Sequence, residues 1–188
     1  MKNLFKVLLC GLIAMSLMSG CGSKKDENTD SNNTDQITEN TPSDNQNTND
    51  TASVGTTLMN SFTEYMNANP EATALDIANE MIVNPVIPAE LSLMTMEMEA
   101  GFMNGFDNFE ITGFEQAAIF APMMGTIPFV GYIFTLPADA DVDGFMNSLK
   151  ENANLRWNIC TAADEMTVTN VGNTVFFLMA PLSFEDAQ

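Results

Sequence analysis

Apolar and polar positions divide the chain into three stretches of different character. Val7 to Met18 is an apolar run of 12 residues, interrupted only by Ser16. Residues 22–53 are almost wholly polar, with Ile37 their only large apolar side chain. From Val54 onwards apolar residues recur at regular spacings. Leu58, Met59, Phe62, Tyr65 and Met66 follow helical spacing and predict an amphipathic helix. Asn69-Pro70-Glu71 ends it and opens a second helix, with Asn69 as cap and Pro70 at the first helical position. Leu75, Ala78, Met81 and Ile82 form the apolar face of that helix, and Asn84-Pro85 to Pro88 breaks it. Leu93 to Glu99 alternates, as a half-buried strand does, with Met94, Met96 and Met98 turned to the core. A Gly- and Phe-rich connection over residues 100–110 follows. Ile111 to Ala121 and Pro128 to Leu136 read as strands joined by a turn at Pro122 to Gly125. The run Phe129 to Phe134 is apolar on both faces, which places it centrally in the sheet. Asp139 to Trp157 reads as a third helix, with Val142, Phe145, Met146, Leu149 and Ala153 on one face. Met166 to Val171 and Thr174 to Ala180 flank Gly172-Asn173, a two-residue hairpin signal. The order ααβββαββ predicts an α+β fold: a mostly antiparallel sheet of about five strands with about three packed helices.

The first two stretches describe targeting rather than fold. Lys2 and Lys6 make the apolar run a signal sequence, too short to span a membrane comfortably. Leu17-Met18-Ser19-Gly20-Cys21 closes it and resembles the bacterial lipobox, with Met18 standing where Leu is commoner. The resemblance implies cleavage before Cys21 and diacylglyceryl modification of its thiol. Two acyl chains anchor stably where one binds marginally, at about 0.8 kcal/mol per buried CH₂. The polar stretch has too little apolar surface to offset chain entropy and reads as a disordered acidic tether. Its r.m.s. reach is roughly 30 Å. The expected organisation is a lipoprotein signal peptide over 1–20, lipidated Cys21 and tether over 21–53, and a single domain over 54–188. The expected location is the extracytoplasmic face of the cell membrane, with an envelope protein or a cell-wall ligand as partner.

Composition narrows the chemistry. The chain of 188 residues carries 25 Asp and Glu against 6 Lys and Arg, has no His, and has a formal charge of −19. Lack of His excludes Ser-His-Asp and Cys-His machinery and imidazole metal ligands. Scarcity of basic residues argues against nucleic acid as a partner. Residues 54–188 alone hold 18 acids against Lys150 and Arg156, so the imbalance belongs to the domain surface. The same residues hold 12 Met and 12 Phe, ample for a core. With Cys10 removed and Cys21 lipidated, Cys160 is the lone thiol, and a lone Cys usually behaves as a small buried hydrophobe. No cofactor is implied.

The segments Pro122 to Tyr132, Arg156 to Cys160 and Val171 to Phe177 resemble segments of uncharacterised lipoproteins of anaerobic Gram-positive bacteria, over about residues 90–181. That likeness implies a lipid-anchored domain and carries no activity.

Candidate chemistry is sparse. Asp139-x-Asp141-x-Asp143-Gly144 fits the first six positions of a calcium loop, but Lys150 replaces the bidentate Glu at position 12 and Glu151 falls one place late. The competing reading is a capped helix N-terminus. Met94, Met96 and Met98 would present three thioethers on one strand face, as a Cu(I) site does, or simply fill the core. Glu97 with Glu99, or Asp164 with Glu165, are carboxylate pairs that a glycan hydrolase would use and that a solvated acidic surface also supplies. Phe102, Phe106, Phe109, Phe114 and Trp157 line either a ligand groove or the core. Arg156 either holds an anionic ligand or pairs with a neighbouring carboxylate. No nucleophile–base set is present. The expectation is a non-catalytic binding or interaction module, with a carboxylate-dependent cell-wall hydrolase or a divalent-cation domain as the alternatives.

Overall fold

A computed structural model describes residues 52–125 and 127–185. The signal sequence, Cys21 and nearly all of the tether therefore lie outside the described residues. Helices α1 (Val54–Ala68) and α2 (Ala74–Ile82) come first, then a single 3₁₀ turn at Ala89–Leu91. Strands β1 (Leu93–Glu97), β2 (Gly101–Phe102), β3 (Glu110–Ile111), β4 (Gln116–Pro122) and β5 (Val130–Thr135) follow. Helix α3 (Val142–Asn152) and strands β6 (Glu165–Val171) and β7 (Thr174–Ala180) complete the order. Five strands form one antiparallel sheet in the order β1-β4-β5-β7-β6, and β2 pairs with β3 in a separate two-stranded ribbon. The domain is α+β, and β5 occupies the middle of the sheet, where its two apolar faces require it. No helix among the described residues is long and apolar enough to cross a membrane.

Alternation along the strands sorts side chains onto two faces. Ala118, Phe120, Ile133, Phe176, Leu178 and Ala180 face the front, where α1 and α2 cover them with Leu58, Phe62, Met66, Ile77, Ala78 and Met81. Ala117, Ile119, Val130, Tyr132, Phe134, Val175, Phe177 and Met179 face the rear. Cover there comes from α3, through buried Leu149 and half-buried Val142, Phe145 and Met146, and from Met103, Phe106 and Ile111. The front is thus sealed by regular helices, the rear by one helix and irregular chain.

Local chemistry moves several expected boundaries. Asn69 closes α1 rather than opening α2: its backbone N–H and its side-chain amide both donate to the Tyr65 carbonyl, at 2.8 and 3.0 Å. Helix α2 starts four residues later, on a capping box. The Asp76 N–H donates to Thr73 Oγ1 at 3.2 Å, and the Thr73 N–H and hydroxyl donate to Asp76 Oδ2 at 3.1 and 2.6 Å. The strand expected over Ile111 to Ala121 is split, because Gly113 takes φ 87° and turns the chain between β3 and β4. Helix α3 is shorter than the periodicity suggests: Asp141 caps it, and Ala153 leaves helical geometry to bridge Phe106. The β6–β7 hairpin forms as expected around Gly172, at φ 59°.

Candidate functional site

The rear layer is held by polar bonds between segments distant in sequence. The Tyr132 hydroxyl, inside the core, donates to the Asn104 carbonyl at 2.9 Å. Burial pushes that hydroxyl well above the ordinary tyrosine range, against the smaller opposing effect of the Asn104 bond, so it stays a donor. The Asn154 N–H donates to the Gly105 carbonyl at 2.8 Å. The Asn154 side-chain amide donates to both oxygens of Asp107, at 2.9 and 3.0 Å. Together these bonds clamp the connection after β2 to the chain leaving α3.

Between those two segments lies an open cleft of about 870 Å³. Asp107, Asn108 and Phe109 form one wall, and Glu151 to Arg156 the other. Side-chain amides, carboxylates, one guanidinium and one aromatic ring make this a surface for many hydrogen bonds and one ionic contact. The Asn154 Oδ1 accepts from the Arg156 N–H at 2.8 Å, which sets the direction of the chain at Arg156. No carboxylate among the described residues comes within ion-pairing distance of the Arg156 guanidinium. A guanidinium so placed is a bidentate donor for a carboxylate or phosphate.

The structure sorts the remaining sequence candidates. Asp141 Oδ1 accepts from the Gly144 N–H at 2.9 Å, as a helix cap does. Asp139, Asp141 and Asp143 form no cation cage: among the described residues no three His, Cys, Asp or Glu side chains are grouped to hold a metal. Asp164 Oδ2 accepts from the Leu182 N–H at 3.2 Å. Glu165 receives the Gly55 N–H at 2.6 Å and the Ser53 hydroxyl at 2.9 Å. That pair is therefore engaged in holding the start of α1 and the chain after β7 to the sheet. Glu97 and Glu99 do lie together, with Glu115, around a second cavity of about 370 Å³ beside the start of α2.

Among the aromatics only Phe109 reaches the large cleft. Phe106 is buried against Phe177, with ring centroids 4.8 Å apart, and Phe114 packs on Phe134 at 5.4 Å. Trp157 is half-buried on the rear core, past the end of α3, and Phe102 is exposed. Two expectations fail. Cys160 is exposed rather than buried. Met94 and Met96 are also exposed, because the rear layer stops short of the edge strand, and only Met98 reaches the rear core.

Asp107 and Asn154 stand 47 positions apart, so no local pattern linked them. The one signal in the sequence was the density of Asn around the lone Arg, over Asn152 to Asn158. No protein-family model, curated protein or solved structure matches the chain.

Proposed function

We propose that the chain is a lipid-anchored extracytoplasmic protein whose folded domain is a non-catalytic binding module, with its ligand held in the Arg156 cleft. The observation that carries the reading is an Arg156 guanidinium free of ion pairs among the described residues, at a cleft otherwise lined by amides, Asp107, Glu151 and Phe109. Hydroxyl-rich ligands use such amide and carboxylate walls, and an aromatic ring adds an apolar contact for a sugar ring. The lone cation asks for an acidic group on the ligand. An anionic cell-wall glycan combines both chemistries.

Calorimetric titration with soluble, carboxylate-bearing fragments of peptidoglycan tests this. Binding that weakens at least tenfold in Arg156→Ala and partly recovers in Arg156→Lys supports the reading. Binding indifferent to both substitutions removes it. Anchoring is tested apart from ligand: metabolic labelling with a radiolabelled fatty acid should mark the wild-type chain and leave Cys21→Ala unmarked. Label retained by Cys21→Ala ends the lipoprotein reading.

A second reading, a cell-wall glycan hydrolase, draws on Glu97, Glu99 and Glu115 around the smaller cavity. Release of reducing ends from the same fragments, abolished by Glu115→Gln, would favour it over the binder.

A further inference from the structure

Eight large apolar side chains among the described residues are exposed, and four of them belong to one end of the sheet: Met123, Met124, Ile159 and Leu182. Register defines that end. Leu93 pairs with Pro122, Val130 with Met179, and Glu165 with Ala180, so β1, β5 and β6 begin where β4 and β7 finish. Met123 and Met124 follow β4, and Leu182 follows β7. Ile159 comes from the segment after α3. The Asn158 side-chain amide, donating to the Gly125 carbonyl at 2.9 Å, fastens that segment to the β4–β5 connection. Five strands side by side span only about 19 Å, so these exposed side chains are gathered rather than scattered.

Two features of this end say what covers it. The first is charge. Residues 122–128 and 156–163 contain no Asp or Glu, although residues 54–188 hold 18. Neighbouring carboxylates are engaged: Asp164 accepts from the Leu182 N–H, Glu165 from the Gly55 N–H, and Asp107 from the Asn154 amide. Glu90, before β1, and Glu185, after β7, flank the end and disfavour an anionic surface. The second feature is where the chain enters. The Val54 N–H donates to the Leu182 carbonyl at 3.1 Å, and the Ser53 hydroxyl donates to Glu165. The stretch read as a tether therefore joins the domain at its apolar end, not at the end where the Gly172 hairpin turns. A lipid on Cys21, with a reach of roughly 30 Å, would keep this end nearest the bilayer.

We propose that this end of the domain docks on a zwitterionic phospholipid surface, with Met123, Met124, Ile159 and Leu182 entering the interface. The inference rests on the lipid-anchored reading and adds that the folded domain itself touches the bilayer. Interfacial binding scales with the apolar area buried, and few side chains suffice when an anchor raises the local concentration of membrane. Methionine arms are unbranched and adapt to a fluid partner. A second copy fits this end less well, because two strongly acidic domains repel. Arg156 precedes Ile159 by three residues, so docking would also hold the Arg156 cleft close to the bilayer.

The test supplies the anchor artificially, so its outcome does not depend on Cys21. The full chain, carrying an N-terminal hexahistidine tag, Cys10→Ser and Cys21→Ser, is held on phosphatidylcholine vesicles containing a nickel-chelating lipid. A fluorophore on exposed Cys160 reports its depth through quenching by nitroxide-labelled lipid. The reference is the same fluorophore on Glu71→Cys in a Cys160→Ser chain. Residue 71 is exposed beyond the far end of α1, about 20 Å away. Quenching at Cys160 should exceed quenching at residue 71 at least threefold. Met123→Asp/Met124→Asp/Ile159→Asp should abolish that excess, and these exposed positions leave the core untouched. Equal quenching at the two positions, or an excess that survives the three aspartates, overturns the proposal. A dimer formed without vesicles and dissociated by the same aspartates also overturns it and assigns the patch to a second copy. Failure of the lipoprotein reading would show separately, as a wild-type chain that takes up no fatty-acid label.

Discussion

Gly131 is the most informative position at which to disturb the core. It sits on β5 opposite Phe120 of β4, and the Phe120 ring lies flat across the space that a side chain at 131 would take. A Cβ there would collide with Cζ, Cε2 and Cε1 of the ring, the last at 2.5 Å. The ring has no free direction in which to retreat. Phe120 is completely buried, with Phe129 and Phe176 centroids 5.9 and 6.1 Å away. Overpacking of a closed core costs about 1–3 kcal/mol, and three simultaneous collisions put this case near the top of that range. Replacing Gly by Ala returns about 0.5–1 kcal/mol through reduced chain entropy. Gly131→Ala should therefore destabilise by about 2 kcal/mol, a fall in Tm of about 8 °C for a domain of this size.

The cause is isolated by a second substitution. Leu has no atoms at the ε and ζ positions, so Phe120→Leu removes the three colliding atoms. Alone it should cost about 1–2 kcal/mol, less than the 3–5 kcal/mol of a Phe→Ala truncation. In that background Gly131→Ala should be nearly neutral, giving a coupling of about 2 kcal/mol in a double-mutant cycle. Urea unfolding followed by tryptophan fluorescence and by circular dichroism measures all four proteins. Stability of Gly131→Ala within about 0.5 kcal/mol of the parent, or additivity in the double variant, would refute the account of a ring locked over glycine.

Three further predictions test polar groups. Thr73→Ala removes the cap of α2 and should cost about 1 kcal/mol in urea unfolding at pH 7. The hydrogen bonds of that cap, from the Thr73 hydroxyl first and its N–H second, hold the Asp76 carboxyl below its ordinary value of 3.8. The stability this contributes is whole above 3.8 and is lost as pH falls through the lower folded-state value. Asp76→Asn should accordingly be less stable at neutral pH, and its Tm should fall less steeply than that of the parent below 3.8. The Thr135 hydroxyl has no hydrogen-bond partner although its oxygen is buried. Thr135→Val should then be neutral or stabilising by about 1 kcal/mol, and a loss of more than that in urea unfolding would reveal a bond to this hydroxyl.

Periodicity made the layers legible. Apolar residues on both faces of β5 located the sheet centre, and Gly172-Asn173 located the terminal hairpin, because both signals are local and of one kind. The start of α2 was misread where two local signals compete. Asn69-Pro70 looks like a cap followed by a first turn, yet Thr73 with Asp76 satisfies two orphan N–H groups at once and wins. Met94 and Met96 were misread for another reason. Alternation says that Met94, Met96 and Met98 share a face, and it is silent about whether that face is covered. Cover depends on how far α3 and the 98–114 connection extend, which is a tertiary matter. The Arg156 cleft was hidden for the same cause, since its walls approach through bonds such as Asn154 to Asp107.

Those bonds also tie the cleft to the sheet behind it. Asn154 holds the Asp107 side chain and the Gly105 carbonyl, and the same connection supplies the Asn104 carbonyl to buried Tyr132 and the Phe106 ring to Phe177. The wall of the cleft and the cover of the rear sheet are thus one piece of chain. A ligand that bridges residues 107–109 to residues 151–156 must also hold that cover in place. Beyond the mass-action gain in stability, about 2.7 kcal/mol at a hundredfold excess over Kd, binding should slow amide exchange at Met103 to Phe106, which do not line the cleft. Front-face helix α1 lies across the sheet from the cleft and serves as the internal reference. Ligand that raised protection equally in α1 and in Met103 to Phe106 would be acting through global stability alone. Selective slowing at Met103 to Phe106 would show that occupying the cleft rigidifies the irregular half of the rear layer.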